Sequence, residues 1–437
     1  MALAHAGRPR PPLLRALENL ATPLAYLATL GGIQVGLLWV FRARFGTAIA
    51  LLATAGWIGL LALVLLRRGH WALKQALLYS LIAVSGLGPT LLEIVQRPRL
   101  GLTIEHDGLV QTEAAVERLI NGQPIYGVDW STTALAQMPW GFTSFPNPAL
   151  HHLAYFPLTI LAGVPVRLAT GFLGVTFDGR IVLLLISLLA LGAIAWLPVA
   201  PQRRFMIATA VFMSPLITLY LWSGRNDVEF LAFVFLSVAL LLRERPVAAS
   251  AALGTAMAFK PFAFFAAPFL LLALYHRWRR SGSSREILLS LLALSAVPLL
   301  TIIPFLLSSP RGFLTDTVLY TGGGVSDAYP IGGYGFGALL LGLQLIRHNT
   351  DAFPFALFQL PAMALSLLVL GKRFLARPST ARWMGGYAGL FAAFAFFNRF
   401  FNDSYLGLLL TLGLLIPPLV ETPMEASRVQ KPDELAA

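Results

Sequence analysis

Apolar runs of about twenty residues recur along the chain, separated by short clusters rich in arginine. One of them, "GTAIALLATAGWIGLLALVLL", covers residues 46–66. Such a run crosses about 30 Å of hydrocarbon only as a helix, because lipid offers backbone N–H and C=O groups no partner. The period-two alternation of a membrane β-barrel is missing. The pattern predicts an all-α, polytopic integral membrane protein with spans at 24–40, 46–66, 75–95, 181–200, 205–222, 228–242, 286–307, 354–371, 383–397 and 404–420.

Three stretches need a second argument. Residues 247–275 would form a helix about 43 Å long at 1.5 Å per residue, too long for one perpendicular span and too short for two. Arg243 and Arg245 precede this stretch and Arg277, Arg279 and Arg280 follow it, so both ends read as cytoplasmic. The chain must then turn back at Lys260–Pro261, as two short or broken helices, which brings the total to about twelve spans. Residues 155–175 read as an extracytoplasmic interfacial helix pair interrupted by Pro157 and Pro165, and 332–346 as a re-entrant or interfacial helix.

Composition agrees: 57% of the 437 residues are apolar and 12% charged, far from the balance of a water-soluble fold. The net charge of +12 could suggest nucleic acid, but the arginines sit between apolar runs, which is topology and not a binding patch. With both termini inside, the cytoplasmic segments hold 20 of the 32 Lys and Arg but only 7 of the 20 Asp and Glu. The first apolar run reads as an anchor and not a cleaved signal, and no cysteine is present to report on redox compartment. The chain thus reads as one transmembrane domain over 1–437, with a large extracytoplasmic loop at 96–179 and a short cytoplasmic tail at 421–437.

That loop concentrates the polar chemistry. "IEHDGLVQTEAAVERLINGQPIYG", residues 104–127, carries Glu105, His106, Asp107 and Glu113. From Asp107 onward it predicts a helix capped by Asp107, with Glu113 and Glu117 on its wet face, Leu109, Val116, Leu119 and Ile120 as its apolar stripe, and Gly122 at its end. Further along the loop stand Tyr126, Trp130, Trp140, Phe142, Phe145, His151, His152 and Phe156. Carboxylates among aromatic rings suit a sugar, whose C–H faces stack while its hydroxyls donate, although Trp and Tyr also belong to any interfacial belt. An aspartate in this setting could take a proton from a hydroxyl, or simply cap its helix. Three cations fall on the same side of the membrane: Arg225 in "SGRND", Lys260 at the break, and Arg399 in "FNRFFND". Ionisable groups at that depth are candidates for binding a lipid phosphate.

Three stretches resemble the GT-C superfamily of glycosyltransferases, and within it the polyprenol-phosphate-mannose-dependent mannosyltransferases and arabinofuranosyl relatives of glycosyltransferase family 87. They are Asp107 followed by the Gly122-x-x-x-Tyr126 spacing, "YFPL" at 155–158, and "GRND" with "FKP" at 224–227 and 259–261. The resemblance implies transfer of mannose or another monosaccharide from a polyprenyl-phosphate carrier to a hydroxyl of a glycan or lipid acceptor, with inversion, on the outer face of the cell membrane. It implies Asp107 as general base and Lys260 and Arg225, with Arg399 on the same face, as donor-phosphate ligands. Glu105, His106, Asn226, Asp227, Tyr126 and Tyr155 would bind sugar or acceptor. Some relatives use a divalent cation, Mg or Mn, for which Glu105, Asp107 and Asp227 would offer oxygens. Two other readings compete. A secondary transporter would share broken helices and buried charges, but shows repeat halves that are not found here. A lipid-linked glycan polymerase or ligase would share the phosphate site and draw on His151 and His152.

Overall fold

A computed structural model describes residues 21–67, 69–102, 104–139 and 146–420; the tail at 421–437 and Trp140, Phe142 and Phe145 lie outside the described residues. The described chain is almost wholly helical. Helix α1 spans Pro23–Val40, α2 Thr47–Leu66 and α3 Trp71–Leu100, and α1 and α3 each contain one π turn. The long loop after α3 contributes α4, Asp107–Ile120, and α5, Pro157–Phe172. Then come α6 Arg180–Ala195, α7 Pro201–Phe212, α8 Pro215–Ser223, α9 Asp227–Leu242, α10 Pro246–Phe259, α11 Ala267–Ser281 and α12 Ser284–Ser308. The last are α13 Pro310–Leu314, α14 Phe336–Gly342, α15 Ala356–Ala376, α16 Thr380–Phe397 and α17 Asp403–Leu419.

Five of these among the described residues, α1, α2, α3, α12 and α15, are long and apolar enough to cross a bilayer, and α7 with α8 make a sixth if that bent pair is one span. The bend of 47° sits at the break between them, where Pro215 can donate no backbone N–H. The helices carry leucines outward, with Leu300 75% and Leu357 71% exposed, which suits hydrocarbon and not water. Inside, α10 and α12 meet closely at Gly254, where a Cβ would come within 2.3 Å of the Leu294 carbonyl oxygen. Small residues at such a seam let backbones approach where no hydrophobic effect drives helices together.

The expected break at Lys260 is present. Lys260 is extended (φ −150°, ψ 135°) and leads into a 3₁₀ turn, Pro261–Ala266. The chain approaches along α10, whose Ala249 carbonyl accepts from Ser237 of α9, and departs along α11, whose Phe269 packs on Gly386 and Phe374.

Two expectations are corrected. Residues 157–172 form one helix and not an interrupted pair, because Pro157 occupies the first turn, where its missing N–H costs nothing, and Pro165 is accommodated within. In the 332–346 stretch, Gly332–Gly333 forms strand β1, parallel to β2 at Phe400–Phe401, and only the seven residues of α14 are helical.

Candidate functional site

The start of helix α4 and three junctions meet at a cavity of about 680 Å³. The start of α4 contributes His106, Asp107 and Gly108, the α8–α9 junction Arg225, Asn226 and Asp227, the α10 break Lys260, and the α16–α17 junction Asn402 and Asp403. The volume is that of an ordinary small-molecule site.

Asp107 is the first residue of α4, and the cap position belongs to His106, whose Nδ1 lies 3.0 Å from the Gly108 nitrogen and 2.8 Å from Asp107 Oδ1. The Gly108 N–H also donates to Asp107 Oδ1 at 2.7 Å. Oδ2 meets no protein donor among the described residues. Burial pushes the carboxyl up, but His106, the Gly108 N–H and the Arg225 charge outweigh it and hold Asp107 below its ordinary value. Its ionised form is thus favoured, and the residue lines the cavity.

Gly108 is required by space. A Cβ there would lie 1.7 Å from the Tyr155 hydroxyl, so Gly108→Ala must push Tyr155 off the cavity wall. We expect this single methyl to reduce ligand binding at the cavity by about tenfold or more, as overpacking costs roughly 1–3 kcal/mol. Titration calorimetry with a polyprenyl phosphate checks it, and wild-type affinity would contradict it.

The cations are held by acids. Lys260 Nζ donates to Asp227 Oδ1 at 2.7 Å and Asn226 Oδ1 at 3.2 Å, which engages two of its three hydrogens. Asn226 in turn donates to the buried Glu229 at 3.2 Å, and Thr159 donates to the same oxygen at 2.8 Å. Arg225 Nη1 donates to Asp403 Oδ2 at 3.0 Å, and its guanidinium lies 4.2 Å from the Tyr220 ring centroid. The turn that presents Arg225 depends on Gly224 (φ +85°), whose missing Cβ is replaced by Leu109 of α4 at 2.4 Å.

Of the residues the sequence singled out, Asp107, His106, Tyr155, Arg225, Asn226, Asp227 and Lys260 line this cavity. Three do not. Arg399 is buried and its guanidinium donates to the carbonyls of Tyr329, Asp351 and Asn349, where it braces a loop. Glu105 accepts from Arg180 at 3.1 Å. Tyr126 is packed against Phe313 and donates to the Tyr155 carbonyl at 2.8 Å. Glu113 also departs from expectation: it turns from water to Arg97, which donates to it at 2.7 and 2.6 Å, and it accepts from the Gly179 N–H. Much of the acidity in residues 104–127 thus answers arginines, Arg180 fully buried and Arg97 partly so.

The acids that could offer oxygens to a divalent cation are engaged elsewhere in part. Glu105 is held by Arg180 and Asp227 by Lys260, and no group of three His, Asp or Glu set to hold a metal occurs among the described residues.

The structure adds a centre around His152. This buried ring stacks on Tyr320 (centroids 4.6 Å apart), with Nδ1 3.0 Å from Asp316 and Nε2 3.0 Å from Asp327. Asp316 also accepts from the Gly127 N–H at 2.8 Å. Gln111, one turn after Asp107 on the same helix face, donates to the His152 carbonyl at 2.9 Å. His152 was already a candidate in the sequence; its partner Asp316 had one signal, an aspartate inside the apolar "FLTDTVLY".

Burial disfavours charge on His152, but Asp316 and Asp327 outweigh it and raise the imidazole above its ordinary value. A raised folded pKa stabilises fully below the unfolded value of about 6.5 and is lost as pH rises through the folded one. Hydrogen exchange in 316–329 is therefore expected to quicken as pH climbs from 6.5, beyond the intrinsic rate, and His152→Gln is expected to abolish that added dependence. Equal dependence in both proteins would contradict the ion pairs.

No protein-family model matches the chain, and no curated protein or solved structure matches it either.

Proposed function

We propose that this chain is a membrane glycosyltransferase of GT-C type, which moves a monosaccharide from a polyprenyl-phosphate carrier to an acceptor hydroxyl on the extracytoplasmic face. In this reading twelve spans, with both termini inside, place the cavity at the outer boundary of the bilayer, where a lipid-borne phosphate can enter sideways. The observation that carries it is that an ionised carboxylate with an uncommitted oxygen, Asp107, lines one cavity together with Lys260 and Arg225.

The chemistry follows from those groups. Asp107 Oδ2 accepts the proton of the acceptor hydroxyl as that oxygen bonds to the anomeric carbon, and the bond from that carbon to the phosphate oxygen breaks on the opposite face, with inversion. The departing phosphate gains charge, and Lys260 offers it the remaining ammonium hydrogen while Arg225 supplies a second cation. Their acid partners keep both side chains in place before the ligand arrives, so little reorganisation is needed. His106, the Gly108 N–H and the Arg225 charge favour the ionised form of Asp107, the form that can accept a proton. The test is release of sugar from a polyprenyl-phosphate mannose donor by purified protein, which must depend on Asp107.

A second reading draws on His152. A lipid-linked polymerase or ligase would draw on His152, which lines the same cavity between Asp316 and Asp327, as a charged ligand for the lipid pyrophosphate. It predicts transfer of preassembled glycan from a lipid pyrophosphate, abolished by His152→Gln and indifferent to Asp107→Asn.

A further inference from the structure

We infer that Arg180, which lies outside the cavity, is a positioning residue that sets the spacing between Asp107 and Arg225. The inference rests on the reading of Asp107 as the base.

Arg180 opens α6 and is fully buried. Its guanidinium reaches three segments. Nε and Nη2 donate to Asp178 at 3.0 and 2.7 Å, Nη2 donates to Glu105 Oε1 at 3.1 Å, and Nη1 donates to the Trp222 carbonyl at 3.1 Å. Glu105 stands two residues before Asp107, and Trp222 three before Arg225. One planar group therefore joins the segment that carries the base to the segment that carries a phosphate cation. The junction is tied again beside it, where the His106 N–H donates to the Ser223 carbonyl at 2.8 Å and Leu109 fills the space left by Gly224. Glu105 is fixed at its other oxygen too, which accepts from the Ile104 N–H at 3.0 Å.

The bracket continues behind the cavity. Asp178 also accepts from Arg97, which grips Glu113 midway along α4, while Glu93 lies 3.7 Å from Arg180 and pairs with Arg44. A buried ionic lattice is an expensive way to add stability, since apolar residues of similar volume commonly do as well. Its distinctive product is geometry: a guanidinium fork fixes direction as well as distance, which an ammonium on a flexible stem does not.

The test uses the full chain in detergent and measures sugar release from polyprenyl-phosphate mannose. Glu105→Gln keeps shape and one acceptor oxygen, and Arg180→Lys keeps charge while losing the fork. Displacement of a catalytic group by about 1 Å costs up to about 10²-fold, so we expect kcat to fall about tenfold in Glu105→Gln and about 10²-fold in Arg180→Lys, with donor KM within about twofold of wild type. The acid limb of the kcat profile should move upward in both, because Asp107, which faces His106, Arg225, Tyr155, Tyr320 and Tyr329, is held low partly by Arg225. A purely structural Arg180 would lower the amount of folded protein in a thermal melt and leave kcat per folded molecule and the pH profile unchanged. That result overturns the inference. If Arg180→Lys does not fold, Glu105→Gln decides alone. Wild-type turnover in Glu105→Gln beside an inactive Asp107→Asn would sink the positioning role only, whereas full turnover in Asp107→Asn would sink the base and the positioning role together.

Discussion

Asp107→Asn is expected to cut sugar release from a polyprenyl-phosphate donor by about 10³-fold, within the range for loss of a general base, while the protein folds and binds donor as before. The substitution is nearly isosteric. The Asn carbonyl oxygen can still accept from the Gly108 N–H, as Asp107 Oδ1 does at 2.7 Å, and at 31% exposure the side chain is not a keystone of the core. The shape and the Gly108 contact are kept, while the charge facing His106 and Arg225 and the capacity to take a proton are removed. Stopped-time assays of released sugar on detergent-purified protein, matched by thermal melts, check this. Undiminished turnover would remove Asp107 from the reaction.

Lys260→Ala has the second largest expected effect, a loss of donor affinity of about 10²-fold or more, as for removal of one partner of a hydrogen-bonded charge pair. The variant has a side effect with a known cause: Asp227, buried and 2.7 Å from the ammonium, is left as an uncompensated charge. Breaking such a pair typically costs about 3–5 kcal/mol. The double variant Lys260→Ala, Asp227→Asn separates the two consequences. It is expected to recover the melting temperature but not the affinity for polyprenyl phosphate. Unchanged affinity in either variant would mean that Lys260 only neutralises Asp227.

The helices were legible in the sequence because their signal is local. Runs such as 46–66 and 286–307 fall within two residues of α2 and α12, and the break at Lys260 followed from arginines on both flanks plus one proline. The same local logic misjudged 155–175, because a proline can open a helix as well as break one. It could not foresee that Phe400–Phe401 would pair with Gly332–Gly333, 68 residues away.

The site divides in the same manner. Arg225 was found beside the end of an apolar run, Lys260 inside one, and Asp107 at the head of a polar helix, places where a charge is conspicuous. Arg399 satisfied that criterion too, yet its guanidinium is occupied by carbonyls of a loop that sequence could not place beside it. Glu105 and Glu113 looked like site acids for want of their partners, since Arg180 and Arg97 are remote in the chain or on another helix. The pairing of His152 with Asp316 spans 164 residues and leaves no periodic trace.

The account requires one phosphate to sit between the cations while the carboxylate faces the sugar. A ligand-bound structure with a non-hydrolysable polyprenyl-phosphate sugar tests this most directly. We expect the phosphate oxygens within about 3 Å of Lys260 Nζ and the Arg225 guanidinium, with the anomeric carbon in the cavity on the side of Asp107. A phosphate seated elsewhere, or a sugar turned away from Asp107 with the carrier held by other residues, would contradict it.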